Sequence, residues 1–151
     1  MCLAINYDFH PKKSKESYFI AQEDIHVYKC LEKRGFHYVT PFRYIPIQFT
    51  KGKYVYPKTE FSYLKSGRYL KFVNQGIHAY VLDSAAYSLI KYCAIDGHIQ
   101  HAIIPKGSKF YIGYNLDIVS DSLIVYHTKR CFDKYYPNII GLNEYINKYK
   151  I

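Results

Sequence analysis

The stretch Ile25-His26-Val27-Tyr28-Lys29-Cys30-Leu31, followed by Arg34-Gly35, decides how the rest of the chain is read. Apolar and polar positions alternate along it, the period of a strand with one buried face, and Arg34-Gly35 then turns the chain. Downstream, Phe36-His37-Tyr38-Val39 and Ile45-Pro46-Ile47-Gln48-Phe49 read as further strands, with Pro46 marking an edge or a bulge because it cannot donate to a ladder. From Tyr54 to Leu70 the pattern turns irregular, aromatic and basic. In the second half Gly76-Ile77-His78-Ala79-Tyr80-Val81 is a short strand, and Asp83 or Ser84 caps a helix over 85–94 whose apolar face is Ala86, Leu89, Ile90 and Cys93. His98 to Ile104 is a strand closed by the turn Pro105-Lys106-Gly107, and Phe110-Tyr111-Ile112-Gly113-Tyr114 and Ser122-Leu123-Ile124-Val125-Tyr126 are two more. Residues 138–149 form a C-terminal helix with Leu142, Tyr145, Ile146 and Tyr149 on one stripe. The expectation is an α+β fold with a mainly antiparallel sheet, one mid-chain helix and a C-terminal helix. We read it as a single domain over 1–151, with an irregular basic and aromatic insertion over 50–72 and a C-terminal extension over 127–151.

The chain has 151 residues, 49% of them hydrophobic and 22% charged, which places it among folded proteins rather than disordered or fibrous ones. Lysine and arginine number 21 against 12 acidic residues, for a formal charge of +9, and there are 19 tyrosines and no tryptophan. Cations attract phosphates and tyrosine faces stack on bases, so this balance points to a nucleotide or nucleic acid as partner. Codon bias toward A and T enriches the same residues. Cys2, Cys30, Cys93 and Cys131 stand singly, with no CxxC pair, which reads as reduced thiols and excludes a zinc knuckle. No run of 18 apolar residues marks a membrane helix, and the first eight residues lack the basic leader of a signal peptide. The expected setting is the cytoplasm of a host cell or a virion, with no membrane partner, and with a host or phage protein as partner and a homo-oligomer both left open.

Three groups of residues are candidates for chemistry. His37 and His78 each follow a glycine and an apolar residue at the start of a strand, an arrangement that presents both on one sheet face to a phosphate or as an acid and base pair. Lys106-Gly107-Ser108-Lys109 is a glycine turn able to aim successive N–H groups at an anion. From Lys51 to Lys71, basic residues including Lys53, Lys58 and Arg68 interleave with Tyr54, Tyr56, Tyr63 and Tyr69, the pattern of a nucleic-acid backbone site with stacking bases. Paired carboxylates are scarce, and G-x-S-x-G, the P-loop and G-x-G-x-x-G are absent, so no motif for a cofactor is found. His98 and His101, three apart on a strand, point to opposite faces and make a poor metal pair.

Gly76-Ile77-His78-Ala79-Tyr80 with Ala85-Ala86, the stretch Ile103 to Gly113, and Asp117-Ile118-Val119-Ser120-Asp121-Ser122-Leu123 together resemble a family of small uncharacterised phage and mobile-element proteins, many from Bacteroides-type hosts. Their pattern is a G-[FI]-H-[AS] strand, an IP-x-G-[ST] hairpin and a D-I-[VA]-S-[DN] strand. The resemblance extends from Ile25 to Tyr126 and departs in the longer middle, 50–72, and in the C-terminal extension. It implies an accessory protein, most simply a non-catalytic binder of a phosphate-bearing ligand acting against host defence. Two other classes stay open: a virion or other structural component, and an ADP-ribosyltransferase-like enzyme recruiting His37 or His78, Tyr80 and Asp121.

Overall fold

The alternation over 25–31 becomes the greater part of a ten-residue strand that starts at Ile25, the longest among the residues that this computed structural model describes, namely 3–10, 17–40, 47–66, 69–93 and 96–151. In chain order the elements are β1 (Leu3–Ala4), β2 (Phe19–Ile20), β3 (Ile25–Arg34), β4 (His37–Val39), β5 (Gln48–Thr50), β6 (Lys53–Val55), β7 (Ser62–Ser66), β8 (Tyr69–Gln75), β9 (Ile77–Tyr80), α1 (Asp83–Cys93), β10 (Gly97–Ile104), β11 (Lys109–Ile112), β12 (Asp117–Ser120), β13 (Ile124–Tyr126), α2 (Lys129–Tyr135), β14 (Ile140–Gly141) and α3 (Leu142–Tyr149). Nine strands follow the order β2-β11-β12-β9-β3-β10-β13-β6-β5, and β4 and β14 also pair with β3. A second sheet has the order β1-β8-β7. The described ladders are antiparallel except that of β14 with β3.

One edge of β3 is filled by β10 over eight residue pairs, from Gly97–Glu32 to Ile104–Ile25. The other edge is divided among β14 at Ile25 and His26, β9 at Tyr28, and β4 at Glu32 to Arg34. Side chains then sort by the strand period of two. Ile25, Val27 and Leu31 of β3 join Ala102 and Ile104 of β10, Ile77 and Ala79 of β9, Phe110 of β11, Ile118 of β12 and Val125 of β13 in the main core. Leu142 and Tyr145 of α3 close it, and the Tyr145 hydroxyl accepts from Gln22 N–H and donates to the Ile20 carbonyl.

The opposite face of the large sheet is covered in two places. Over β11 and β12, Tyr111 and Val119 pack against Leu3, Ile5 and Val73 of the small sheet and its approach. Over β10 and β13, Ile103 and Tyr126 pack against Phe132 of α2. Gly76 joins the two sheets at φ +149°, where a Cβ would lie 2.4 Å from a Val119 methyl, so only glycine passes there.

The α+β class and the mainly antiparallel sheet agree with the sequence. Among the described residues three helices are present instead of two: α2, only seven residues long, is started by Thr128, whose Oγ1 accepts from Cys131 N–H. The C-terminal helix begins at Leu142 and not at 138, because Ile140 and Gly141 are extended alongside β3. The stretch read as irregular contains β6, β7 and part of β8. Register shifts in the β7–β8 ladder break the regular alternation that would have revealed those two strands.

Lys29 is the exception to the core's composition. It stands in phase with Ile25, Val27 and Leu31 and is buried. Its ammonium donates to the His78 carbonyl at 2.5 Å and lies 5.8 Å from the centre of the Tyr56 ring, and no ion pair involves it among the described residues. Burial brings its pKa down to about 8. An unfolded lysine near pH 10 holds its proton better, so the folded state gains stability as pH rises from 8 toward 10. At pH 7 keeping this group charged costs about 3 kcal/mol, its bond to the carbonyl included. Lys29→Met is therefore expected to raise stability at pH 7 by up to about 3 kcal/mol and to remove the gain between pH 8 and 10. Urea unfolding at several pH values checks both effects, and an unchanged pH slope in the variant contradicts the assignment.

Candidate functional site

The two basic stretches that the sequence sets apart, 51–71 and 106–109, contribute to one cavity of about 520 Å³. Tyr18, Lys58, Thr59, Glu60, Phe61, Tyr63, Lys109 and Asp121 line it. The cavity forms where the connection from β6 to β7 crosses the start of β11. Thr59 N–H donates to the Asp121 carbonyl at 2.9 Å, and Asp121 N–H donates to the Lys109 carbonyl at 3.0 Å, so three segments are tied at one corner. The wall is aromatic. Phe61 meets Tyr111 edge to face with centroids 5.3 Å apart, and the Tyr63 and Tyr111 hydroxyls are 3.0 Å apart. Burial, with the bond to Tyr63, pushes the Tyr111 phenol above its ordinary range, which keeps it neutral.

Charge in the cavity is arranged rather than uniform. Lys109 extends its ammonium over the Tyr18 ring, 4.7 Å from the centroid, a cation–π contact. Lys58 and Glu60 are exposed, whereas Asp121 is buried. Neither Lys58 nor Lys109 forms an ion pair among the described residues. A volume of this size holds a small ring-bearing molecule.

The turn at 106–109 already binds anions, but they are the protein's own. Lys106 N–H donates to the Asp24 carboxylate at 2.8 Å and Lys109 N–H to the Asp121 carboxylate at 3.0 Å. Gly107 N–H donates to the Ala21 carbonyl and Ser108 N–H to the Pro105 carbonyl. Ser108 is buried. With its N–H groups engaged, the turn offers the cavity the Lys109 side chain alone.

The other sequence candidates fall elsewhere. Tyr54 is in the core with its hydroxyl 3.3 Å from His127 Nδ1, and Lys53 pairs with Tyr126 in the β6–β13 ladder. His78 lies opposite Val119, and Tyr80 lies between Asp117 and Tyr28; neither lines the cavity. His37 pairs through its backbone with Arg34 at the far end of β3, so it shares no register position with His78. The side chains of His37 and Tyr69, and all of Arg68, lie outside the described residues. Tyr18 and Glu60 were not singled out by the sequence, since nothing local to either marks it as facing a cavity.

A second cluster, also missed, sits on the outer face of β3 and β10. His26 Nε2 and His101 Nδ1 are 2.9 Å apart, and Tyr28 and Phe132 pack on both rings. One neutral ring donates to the other. Burial, then the adjacent His101, brings the His26 pKa down to about 4. Among the described residues no three of His, Cys, Asp and Glu gather as a metal site, and no helix is long and apolar enough to cross a membrane.

Comparison of the chain with family models, curated proteins and solved structures finds no match.

The histidine pair has a measurable consequence. An unfolded histidine takes its proton near pH 6.5, whereas His26 resists it until about 4. Acid therefore favours the unfolded chain, and stability present above pH 6.5 is lost as pH falls to 4. His26→Gln is expected to make the decline in melting temperature over this window shallower. A decline as steep as that of the unsubstituted protein would show that His26 does not carry it.

Proposed function

We propose that the protein binds a ligand joining an aromatic ring to a phosphate, a nucleotide signal or a nucleotide of a nucleic acid, in the cavity between β7 and the start of β11. The observation that carries this reading is the convergence of Lys58 and Lys109, both without an ion pair among the described residues, with the rings of Tyr18, Phe61 and Tyr63. The ring of such a ligand stacks on the tyrosines and its phosphate meets the ammonium groups. The motif resemblance supports the further reading of a phage- or mobile-element-encoded accessory protein that counteracts host defence. Binding without catalysis is the form we favour: of the His78, Tyr80 and Asp121 set that an ADP-ribosyltransferase-like reaction would recruit, Asp121 alone lines the cavity.

Titration calorimetry with nucleoside monophosphates and short single-stranded oligonucleotides tests the reading. Binding is expected to weaken as salt rises, because counterions compete for the phosphate contacts. Lys58→Glu should weaken it about tenfold, roughly the 1.4 kcal/mol of one charge-assisted contact, and Tyr18→Ala by about 1–3 kcal/mol of stacking. Folding should be unaffected in Lys58→Glu, whose side chain is exposed. Absence of heat and of thermal shift with all of these ligands rejects the proposal.

A further inference from the structure

Asp121 places a buried carboxylate in the wall of the cavity. It is 4% exposed, yet it lines the cavity. Its backbone is held by Lys109 and Thr59, and its Oδ1 accepts Lys109 N–H at 3.0 Å. Among the described residues no hydrogen bond reaches Oδ2 and no ion pair neutralises the carboxylate. An ionised carboxylate only accepts hydrogen bonds, and burying one short of donors is costly. A phosphate has no donor to offer and is repelled. A ligand with a ring and a phosphate therefore enters ring first, with the phosphate toward the exposed Lys58 and a donor on the ring edge toward Asp121.

We infer that Asp121 selects nucleobases presenting an exocyclic amino group, so that adenine and cytosine are bound in preference to hypoxanthine and uracil. This rests on the nucleotide reading of the cavity given above. The oxo bases do carry a ring N–H, but it is recessed beside a protruding carbonyl oxygen, whereas an exocyclic amino hydrogen projects from the ring edge toward a carboxylate fixed in the wall. Glu60 also lines the cavity, but it is exposed and makes no hydrogen bond among the described residues that fixes its position. Asp121 is held before the ligand arrives, the property that selectivity requires.

Two pairs of ligands isolate this contact, since CMP and UMP differ in an amino against an oxo group on one ring, and AMP and IMP do so on another. Calorimetric titration of the full chain is expected to give about tenfold tighter binding of CMP than UMP and of AMP than IMP, the size of one hydrogen bond in a partly wet site. In Asp121→Asn the side-chain oxygen can still accept Lys109 N–H, which turns the amide NH₂ toward the ligand. That variant is expected to lose the preference or reverse it toward UMP and IMP. Equal affinities within each pair for the unsubstituted protein, or a preference that survives Asp121→Asn, overturn the role of Asp121 while leaving the cavity a nucleotide site. Binding of none of the four overturns both this assignment and occupation of the cavity by a single nucleotide. If circular dichroism shows Asp121→Asn unfolded, the ratios for the unsubstituted protein decide alone.

Discussion

The ladder between β3 and β10 sets the phase of everything built on it. Its eight pairs turn Ile25, Val27 and Leu31 inward and hold His26 and Tyr28 outward, and a slip of one residue would exchange the two sets. Such a slip would carry the His26 imidazole and the Tyr28 phenol into an apolar core, so the register is strongly specified. From β3 the constraint passes across a single pair to β9, then to β12 and to β11. This path places Lys109 at the start of β11 beside Asp121, just beyond the end of β12. The cavity thus inherits its geometry from a strand that does not touch it.

The excess of positive charge becomes intelligible through the places where carboxylates are used. Asp24 and Asp121 accept backbone N–H groups of the turn at 106–109, while Glu23 is engaged by Lys148 and Tyr149 of α3. Acidic groups spent on holding backbone and termini are unavailable to neutralise lysines elsewhere. Exposed ion pairs such as Lys129–Asp133 contribute little to stability in any case. Lys58 and Lys109 are left without an ion pair among the described residues, and the net charge of +9 alone would not have located them.

Sequence periodicity revealed the parts of the fold whose signal is local. The alternation over 25–31 and the capped apolar face beginning near Asp83 both became the elements they suggest. β7 was hidden because bulges interrupt its alternation, and α2 because two helical turns are too short for a period to show. The candidate site was half legible. Lys58, Tyr63 and Lys109 stand in stretches whose composition is unusual, whereas Tyr18 and the role of Asp121 depend on which segments meet across the sheet. The one local clue that was available and overlooked is Lys29: it breaks the alternation by standing in phase with Ile25, Val27 and Leu31.

The position of Lys29 relative to the ladders suggests why a charged group is kept in an apolar interior. β9 meets β3 through the single pair Tyr28–Tyr80, too short a ladder to fix register by itself. Lys29 adds a directional bond from the adjacent residue of β3 to the His78 carbonyl of β9, and its stem packs among core residues. A methyl or thioether in its place would fill the space without choosing one alignment over the next. Buried polar groups trade stability for uniqueness of packing in some folds, and the trade matters most where few other bonds define the alignment. Here that alignment governs the β9-β12-β11 path, so the spacing of Lys109, Asp121 and the aromatic wall depends on an ammonium group on the far side of β9.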